Sequence, residues 1–513
     1  MEKYILVHDL GTTGNKTCIF NVDGELKAKL YLPFKTNYPQ SDYAEQDPQE
    51  WWRTISLATK KIIISSKISP KEIICMTFSG HNPSCIPIDK KGQLVYKHIP
   101  IYADLRAHNE VKNMLDRLGG YNRYYRITGG GQILEQYSLF KMMWMKENDP
   151  ENFKRVFKFV NTLDYIIYKL TGNIVTDHSL ASNTGLYDIK KRKWSEKILD
   201  FAELSEKILP NIEESTFIAG NINNQVSKEI GLISGTPIII GGGDVSCAAT
   251  GAGVVKKGIY YMNLGSAAWV GSYADNPHFN QKLHLATLSH LKTNKYVLHL
   301  VMTGACICYQ WLRDNIFNHE KSIARKMKVS AYELMDLRAK KISPGSDRLI
   351  FLPYIRGVWS GNFNPNARAA YIGLDLIHNK SHFIRAALEG IGFALRDLLE
   401  MLGNGKIDAN EIRIIGGGAK SKLWRQIIAD ITGINVKCPL YTQEASSLGA
   451  AIAAGVSMGV FKNFDVALNF NKIIDTRYPR KSIHEKYNKL YPIFKNAYKN
   501  ISRIFEDLRN VDL

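Results

Sequence analysis

Two short segments in opposite halves of the chain share one pattern, in which an apolar run of strand type turns through a Leu-Gly step into a second such run. They are Val7-His8-Asp9-Leu10-Gly11-Thr12-Thr13-Gly14 and Met262-Asn263-Leu264-Gly265-Ser266-Ala267-Ala268. Glycine lets backbone N–H groups approach an anion closely, and the hydroxyl that follows adds a donor. Either copy alone also fits an ordinary β-hairpin. The repetition predicts a duplicated fold that holds a polyphosphate between its halves.

A third glycine cluster strengthens this interpretation. Gly416-Gly417-Gly418-Ala419 follows the strand-like run 412–415, and Asp9 opens an Asp-x-Gly-Thr-x-x-x-Lys run that ends at Lys16. With these segments the chain resembles the FGGY family of carbohydrate kinases, and the xylulokinase-like members most closely. Ordered blocks carry the resemblance over nearly the whole chain: Glu45-Gln46-Asp47-Pro48-x-x-Trp51-Trp52, 141–148, Gly241-Gly242-Gly243-Asp244, 351–354, Gly373-Leu374 and 386–389.

A chain of 513 residues exceeds what one hydrophobic core usually supports, so at least two domains are expected. The resemblance implies an α/β fold of two actin-like (ribonuclease-H-like) domains, with mixed sheets flanked by helices and a cleft between them. We predict a first domain at 1–248 with the sugar site and the first phosphate turn, and a second at 249–480 with the nucleotide site. Apolar residues at helical spacing predict that 481–513 forms a helix that packs back on the body.

Hydrophobic periodicity places the main elements of both domains. It predicts helices at 51–65, 109–118, 381–402 and 424–432. It predicts strands at 5–7, 18–21, 73–79, 84–87, 238–240, 258–263, 297–302 and 412–415.

Asp244 is the candidate catalytic residue. It follows three glycines at the end of an apolar strand, where α/β proteins carry active-site side chains, although an Asp there also fits a cap of the next helix. The resemblance implies that Asp244 is the general base that accepts the proton of the sugar hydroxyl. It also implies that Asp9, with Asp244, serves the Mg²⁺ ion, where an Asp bonding its own turn is the structural alternative.

The phosphate and nucleotide contacts come from four segments. In the first turn Gly11, Thr12 and Thr13 are expected to bind phosphate, with Lys16 nearby or on a surface strand. In the second turn Gly265 and Ser266 are expected to do so, and Ala267 lacks the hydroxyl that the family usually has there. The third cluster has almost no side chains, so a base or ribose can approach its backbone closely. Gly416, Gly417, Gly418 and Ala419 are therefore candidate nucleotide-binding residues. The resemblance adds Gly304 and Gln310, whereas Trp311 is expected in the core.

The sugar contacts follow from two further blocks that resemble the family. His81 and Asn82 lie where xylulokinase-like proteins have a Gln-x-His-Gly type sequence, although a lone His is often structural. Asp104 and Arg106 match a Trp-x-Asp-x-Arg block and, with Asp244, are expected to bind the sugar. Tyr102 replaces the Trp of that block, and Gly357-Val358-Trp359 replaces the Gly-Glu-Arg that usually follows Phe-Leu-Pro-Tyr. These departures affect substrate choice.

Composition argues against several other classes of protein. No apolar run of about 18 residues occurs and the N-terminus lacks a signal-peptide core, so we expect a cytoplasmic protein. The net charge of +19 is spread along the chain without aromatic interleaving, which argues against a nucleic-acid partner. The seven scattered cysteines indicate buried free thiols, and Cys306-x-Cys308 is too short for a zinc site.

The sequence therefore predicts an enzyme that phosphorylates a sugar hydroxyl with ATP and Mg²⁺, above all that of a ketopentose such as xylulose. The alternatives are the same chemistry on ribulose, erythritol, glycerol or gluconate. A rival from another class is an actin-like ATPase that binds a protein partner. The expected partners are a sugar and ATP, with no nucleic acid and no membrane, and a homodimer is left open.

Overall fold

The computed structural model describes residues 2–511 except 132, 266, 362 and 404. Ser266, predicted to bind phosphate, therefore lies outside the described residues.

The first half of the chain is built on a seven-stranded mixed sheet. Its first two strands form an antiparallel hairpin, and Ile73–Gly80 runs parallel to the first strand on the other side. Residues Tyr4 to Leu10 are all buried because helices cover both faces, Pro48–Ser66 on one and Ala445–Ser457 on the other. The strands, in sheet order, are Ile218–Asn221, Pro237–Ile239, Ile73–Gly80, Tyr4–Gly11, Gly14–Asn21 and Leu26–Pro33, with Gly242–Gly243 pairing to Ile73–Gly80.

The second half repeats this topology, as the duplicated turn predicts. An antiparallel hairpin again holds the Leu-Gly step, and Glu411–Ile415 runs parallel to its first strand. The strands, in sheet order, are Ala286–Ser289, Tyr296–Met302, Ala268–Ala274, Ile259–Leu264, Glu411–Ile415, Val436–Pro439 and Ile473–Arg477. Two mixed sheets flanked by helices confirm the predicted fold class.

Helices and small sheets complete each half. The predicted strand at 84–87 is short and begins only at Ile86. In the described part of the chain no helix is long and apolar enough to cross a membrane. The helices are Pro48–Ser66, His108–Leu118, Tyr121–Thr128, Ser138–Asn148, Pro150–Arg155, Thr162–Thr171, His178–Ala181, Glu196–Ala202, Asn224–Ile230, Asp244–Gly251, Ala305–Trp311, Asn318–Met327, Ala331–Ala339, Lys380–Leu402, Lys422–Thr432, Ala445–Ser457, Ala467–Phe470 and Lys481–Arg509. The two-stranded sheets pair Glu45–Gln46 with Ile99–Pro100, Ile86–Ile88 with Lys158–Val160, Val175–Asp177 with Asn211–Glu213, Tyr187–Asp188 with Lys193–Trp194, and Ile350–Leu352 with Ala370–Ile372.

The C-terminal helix Lys481–Arg509 packs along the helix Lys422–Thr432. Its Tyr487 hydroxyl donates to the buried Glu389 carboxylate at 2.7 Å, and Arg385 pairs with the same carboxylate at 2.6 Å. A buried carboxylate needs such partners, because an unpaired one is costly. The buried residues of the helix are Tyr487, Tyr491, Phe494, Tyr498 and Phe505.

Two helices, which we call the crossing helices, join the halves. They are Asp244–Gly251, at the end of the first half, and Ala445–Ser457, which packs on both the first sheet and its partner helix. A Cβ atom at Gly449 would lie 1.9 Å from the Cys247 carbonyl oxygen, and one at Gly251 would lie 1.8 Å from the Ala445 carbonyl oxygen. The two backbones are therefore in direct contact, at a distance that only glycine allows.

The first prediction concerns this contact. Gly449→Ala should lower the free energy of unfolding by about 1–3 kcal/mol or more, because the new methyl group meets backbone that cannot rotate away. Thermal unfolding followed by circular dichroism measures the effect. Gly417→Ala is the matched control, since a Cβ at Gly417 meets nothing within 4 Å. An unchanged melting temperature for Gly449→Ala would contradict the close crossing.

Candidate active site

The local backbone aims Asp244 into the cleft between the halves. Gly241 has a φ of +71°, and a Cβ there would lie 1.9 Å from a carbonyl oxygen of the neighbouring strand. The Gly243 N–H donates to Ser179 Oγ at 2.9 Å, and that hydroxyl donates to the buried Asp177 carboxylate at 2.9 Å. The glycine run is thus packed and hydrogen-bonded up to the residue before Asp244, which then opens the first crossing helix.

The carboxylate of Asp244 has an unusual electrostatic environment. It is partly exposed in the cleft, but the protein around it is dense, and burial raises its pKa to about 7. The charge of Asp9 is the second cause of this shift. Asp244 Oδ1 accepts from the adjacent Val245 N–H, at 2.8 Å. Because Gly243 occupies the N-cap position, capping of the helix is a weak explanation for Asp244.

The first glycine turn lies beside Asp244. Asp9 and Lys16 are paired across the hairpin, with Lys16 Nζ at 3.3 Å from the Asp9 carboxylate. Lys16 Nζ also donates to the Gln443 carbonyl of the second half at 2.7 Å. Burial works against the ammonium, but Asp9 outweighs it and the pKa of Lys16 is raised. Lys16 is therefore a bridge between the halves rather than a surface strand residue.

The two threonines of this turn both bond to tyrosines. Thr12 Oγ1 lies 2.9 Å from the Tyr102 hydroxyl, and Thr13 Oγ1 lies 2.9 Å from the Tyr31 hydroxyl. Gly11 and Thr12 are half-buried and Thr13 is exposed. The turn therefore faces the cleft between the halves.

Two cavities adjoin at Gly417 and Gln443. The first, which we call the interdomain cleft, has a volume of about 690 Å³ and takes Lys16, Lys29 and Tyr31 from the first half. The second, which we call the glycine cavity, has a volume of about 480 Å³ and lies within the second half. The lining of the glycine cavity includes Leu264, Gly265, Cys306, Tyr309, Gln310, Tyr332, Asp336, Gly417, Gly418, Ser421 and Trp424.

The structure brings most of the predicted nucleotide residues to these cavities. Gly265, Gln310, Gly417 and Gly418 line the glycine cavity, and Gly416 and Gly417 line the interdomain cleft. Gly304 and Ala419 are not among the lining residues of either. A Cβ at Gly304 would lie 3.0 Å from the Pro353 carbonyl oxygen, and Ala419 is fully buried, so close packing accounts for both.

Other outcomes correct the sequence analysis. Trp311 was expected in the core but is 46% exposed.

The glycine cavity also contains residues that the sequence patterns did not indicate. Asp336 accepts from the Ser421 hydroxyl at 2.5 Å, and burial raises its pKa to about 6. The seven cysteines are free, as predicted, and six are buried, whereas Cys306 is half-buried against this cavity.

A third cavity, which we call the Asp244 cavity, has a volume of about 250 Å³ and takes residues from both halves. Asn82 and Asp244, both predicted to bind the sugar, line it. His81 lies behind them, 1% exposed, and neither ring nitrogen has a hydrogen-bond partner among the described residues. The lining includes Asn82, Tyr102, Gln136, Tyr137, Asn183, Asp244, Trp269, His284, His299, Thr303 and Trp359.

Asp104 and Arg106 lie elsewhere, contrary to the expected place in the sugar site. The Arg106 guanidinium forms ion pairs with Asp104 at 2.7 Å and Glu45 at 2.5 Å, and lies over the Tyr43 ring. The fully buried Asp104 carboxylate also accepts from the Ala44 N–H at 2.8 Å. Both groups are thus bound to other protein groups, and neither is among the described lining residues of the Asp244 cavity.

Comparison with known proteins places the chain in a family. Residues 4–251 match the N-terminal domain, and residues 264–458 the C-terminal domain, of the FGGY family of carbohydrate kinases. Together these matches cover most of the chain. The chain belongs to the FGGY family of carbohydrate kinases, and it transfers phosphate from ATP to a hydroxyl group of a sugar.

The names of similar proteins give two substrates, xylulose and gluconate. The xylulose kinase of Lactococcus lactis is 31% identical over 515 residues, covering 98% of each chain. Among solved structures, a gluconate kinase from Lactobacillus acidophilus superposes with a TM-score of 0.90 at 25% identity, over 99% of this chain and 100% of that one. A ligand-bound xylulose kinase from the same organism gives a TM-score of 0.89 at 25% identity, with the same coverage.

The second prediction separates a binding glycine from a packing glycine. Gly417→Val should raise the KM for ATP about tenfold or more, roughly 1.4 kcal/mol, and leave the KM for sugar nearly unchanged, because its side chain enters a cavity rather than the core. Steady-state kinetics with each substrate varied measures this split. In Gly418→Ala the Cβ would instead lie 2.8 Å from Leu264 Cβ and 2.9 Å from the Trp424 ring, so the melting temperature should fall. Equal changes in both KM values for Gly417→Val would mean that this cluster is only a structural turn.

Proposed function

We propose that this kinase phosphorylates a neutral ketose, most of all xylulose, with Asp244 as the general base. The observation that carries the proposal is the charge of the Asp244 cavity. Among its described lining residues only Asp244 carries a charge at neutral pH. Burial lowers the pKa of both His284 and His299 to about 4, so both rings are neutral.

A neutral sugar matches this lining better than a sugar acid does. Asparagine and glutamine side chains bond hydroxyl groups in either direction, and aromatic rings cover the C–H faces of a sugar. A sugar acid would instead bring a carboxylate beside Asp244 with no lining cation to pair it, and such a buried charge is costly. The aromatic residues of the lining are Tyr102, Tyr137, Trp269 and Trp359.

Gluconate is the second candidate, and one observation favours it. The charge of Arg356 acts on the Tyr102 hydroxyl, so this exposed guanidinium lies near the mouth of the Asp244 cavity. A sugar acid longer than a ketopentose would reach it. The solved gluconate kinase is also similar to this chain throughout.

The roles of the chain's own residues follow from their placement. The pKa of Asp244 is close to neutral pH. Its carboxylate accepts the proton of the sugar hydroxyl as that hydroxyl attacks the γ-phosphate. Thr12 and Thr13 donate to phosphate from the first turn, and Lys16 adds positive charge there. The buried ring nitrogens of His81 have no hydrogen-bond partner among the described residues, so His81 is a candidate for one hydrogen bond to the sugar from behind Asn82.

The residues also fit a magnesium ion. Asp9 and Asp244 are two carboxylates close enough for one charge to act on the other, and a divalent cation relieves such repulsion. No group of three or more metal-binding side chains occurs among the described residues. That suits Mg²⁺, which usually takes one or two carboxylates with water and phosphate oxygens, and which supplies charge neutralisation to the phosphates when bound.

The third prediction tests the base. Asp244→Asn keeps size and removes the proton acceptor, so kcat should fall by about two to four orders of magnitude. ATP binding, measured by calorimetry, should change little. Asp9→Asn is the control at the same cleft, and its defect should appear as a raised Mg²⁺ requirement instead. Near-normal turnover of Asp244→Asn at saturating sugar would exclude Asp244 as the base.

The fourth prediction tests the sugar. In a coupled ADP-release assay kcat/KM for xylulose should exceed that for gluconate by about 30-fold or more, since the gluconate carboxylate lacks a partner in the cavity. Arg356→Ala should leave the xylulose value within about twofold. If gluconate is preferred and Arg356→Ala abolishes that preference, the substrate is the sugar acid and Arg356 binds its carboxylate.

A further inference from the structure

Tyr102 lies where the Asp244 cavity and the first phosphate turn meet. Its ring borders the Asp244 cavity, and its hydroxyl lies 2.9 Å from Thr12 Oγ1. Burial raises the pKa of its phenol, with Asp244 as a further cause, so the hydroxyl keeps its proton. One side chain therefore contacts both the cavity assigned to the sugar and the turn assigned to the γ-phosphate.

A neighbouring strand, Glu45–Gln46, also holds the turn through its backbone. The Gln46 side chain donates to the Thr12 carbonyl at 2.7 Å and accepts from the Trp51 indole at 2.9 Å. Gln46 follows Glu45, which is paired with Arg106. The ion pair of Arg106 with Glu45 thus holds the strand Glu45–Gln46, whose Gln46 side chain bonds Thr12.

Tyrosine at this position has a chemical consequence. The related block has Trp where this chain has Tyr102, and an indole N–H can only donate. A phenol hydroxyl both donates and accepts, so it can bond Thr12 Oγ1 whichever way that hydroxyl turns when phosphate binds.

We propose that Tyr102 couples the two reactants: a sugar packed on its ring fixes its hydroxyl, and thereby holds Thr12 where it donates to the γ-phosphate. Tyr102 is a positioning residue for the phosphate turn in this proposal, which rests on the proposed sugar kinase function. The sugar should therefore raise the affinity for nucleotide, and the Tyr102–Thr12 hydrogen bond should carry that increase.

A double-mutant cycle tests the coupling, with Tyr102→Phe, Thr12→Val and the double variant. Tyr102→Phe keeps the ring, so the KM for sugar should stay within about twofold, while kcat should fall about threefold to tenfold, as expected for one hydrogen bond. Thr12→Val added to Tyr102→Phe should then cost less than it does alone. Tyr102→Trp should behave like Tyr102→Phe in kcat.

A binding measurement separates coupling from a general structural effect. Calorimetry gives the affinity for a non-hydrolysable ATP analogue with and without sugar, and the gain on adding sugar should be lost in Tyr102→Phe. Tyr31→Phe is the matched control. Its hydroxyl makes the same 2.9 Å contact with Thr13, but its ring is 50% exposed and is not among the lining residues of the Asp244 cavity. In Tyr31→Phe the gain should remain.

The possible outcomes distinguish this proposal from the proposed function. Effects of Tyr102→Phe and Thr12→Val that simply multiply, in an enzyme that phosphorylates xylulose, would overturn the coupling alone. A retained gain in nucleotide affinity in Tyr102→Phe would do the same. Turnover of another sugar instead of xylulose would overturn the xylulose assignment, and the cycle is then measured with that sugar.

Discussion

The two halves of the structure are joined where the helices Asp244–Gly251 and Ala445–Ser457 cross with their backbones in contact. Gly251 and Gly449 bring these helices closer than side chains allow. One helix begins at the candidate base, and the other follows the loop that carries Gln443. Packing at the crossing therefore fixes the start of the helix that carries Asp244 against the helix that follows Gln443.

Charged groups of both signs lie close together around Asp9. Asp9 and Asp244 repel each other and raise the pKa of Asp244, while Lys16 pairs with Asp9 and holds the Gln443 carbonyl of the other half. Lys29 adds an ion pair to Glu444 at 2.8 Å, which is exposed at the lysine and so contributes little to stability. Among the described residues no lysine or arginine forms an ion pair with Asp244, which is consistent with its raised pKa.

The lining of the Asp244 cavity is the part of this chain that a general description of its family does not give. Its aromatic lining, which among the described residues contains no cation, favours a ketose, although solved structures of both xylulose and gluconate kinases are similar to the chain. Three departures noted in the sequence, Ala267, Tyr102 and Trp359, line this cavity. If the sugar binds there as proposed, these three positions contact it.

The duplicated fold, the strand-turn-strand segments and the glycine runs before Asp244 and after Ile415 could be predicted from the sequence. They depend on local periodicity and on backbone conformations that glycine permits. The sequence could not determine which side chains meet. Arg106 bonds Glu45 across 61 positions, Tyr102 bonds Thr12 across 90, and Asp336 bonds Ser421 across 85. Such pairings depend on how distant segments pack, so the ion pairs of Arg106 and the exposure of Trp311 are visible only in the tertiary structure.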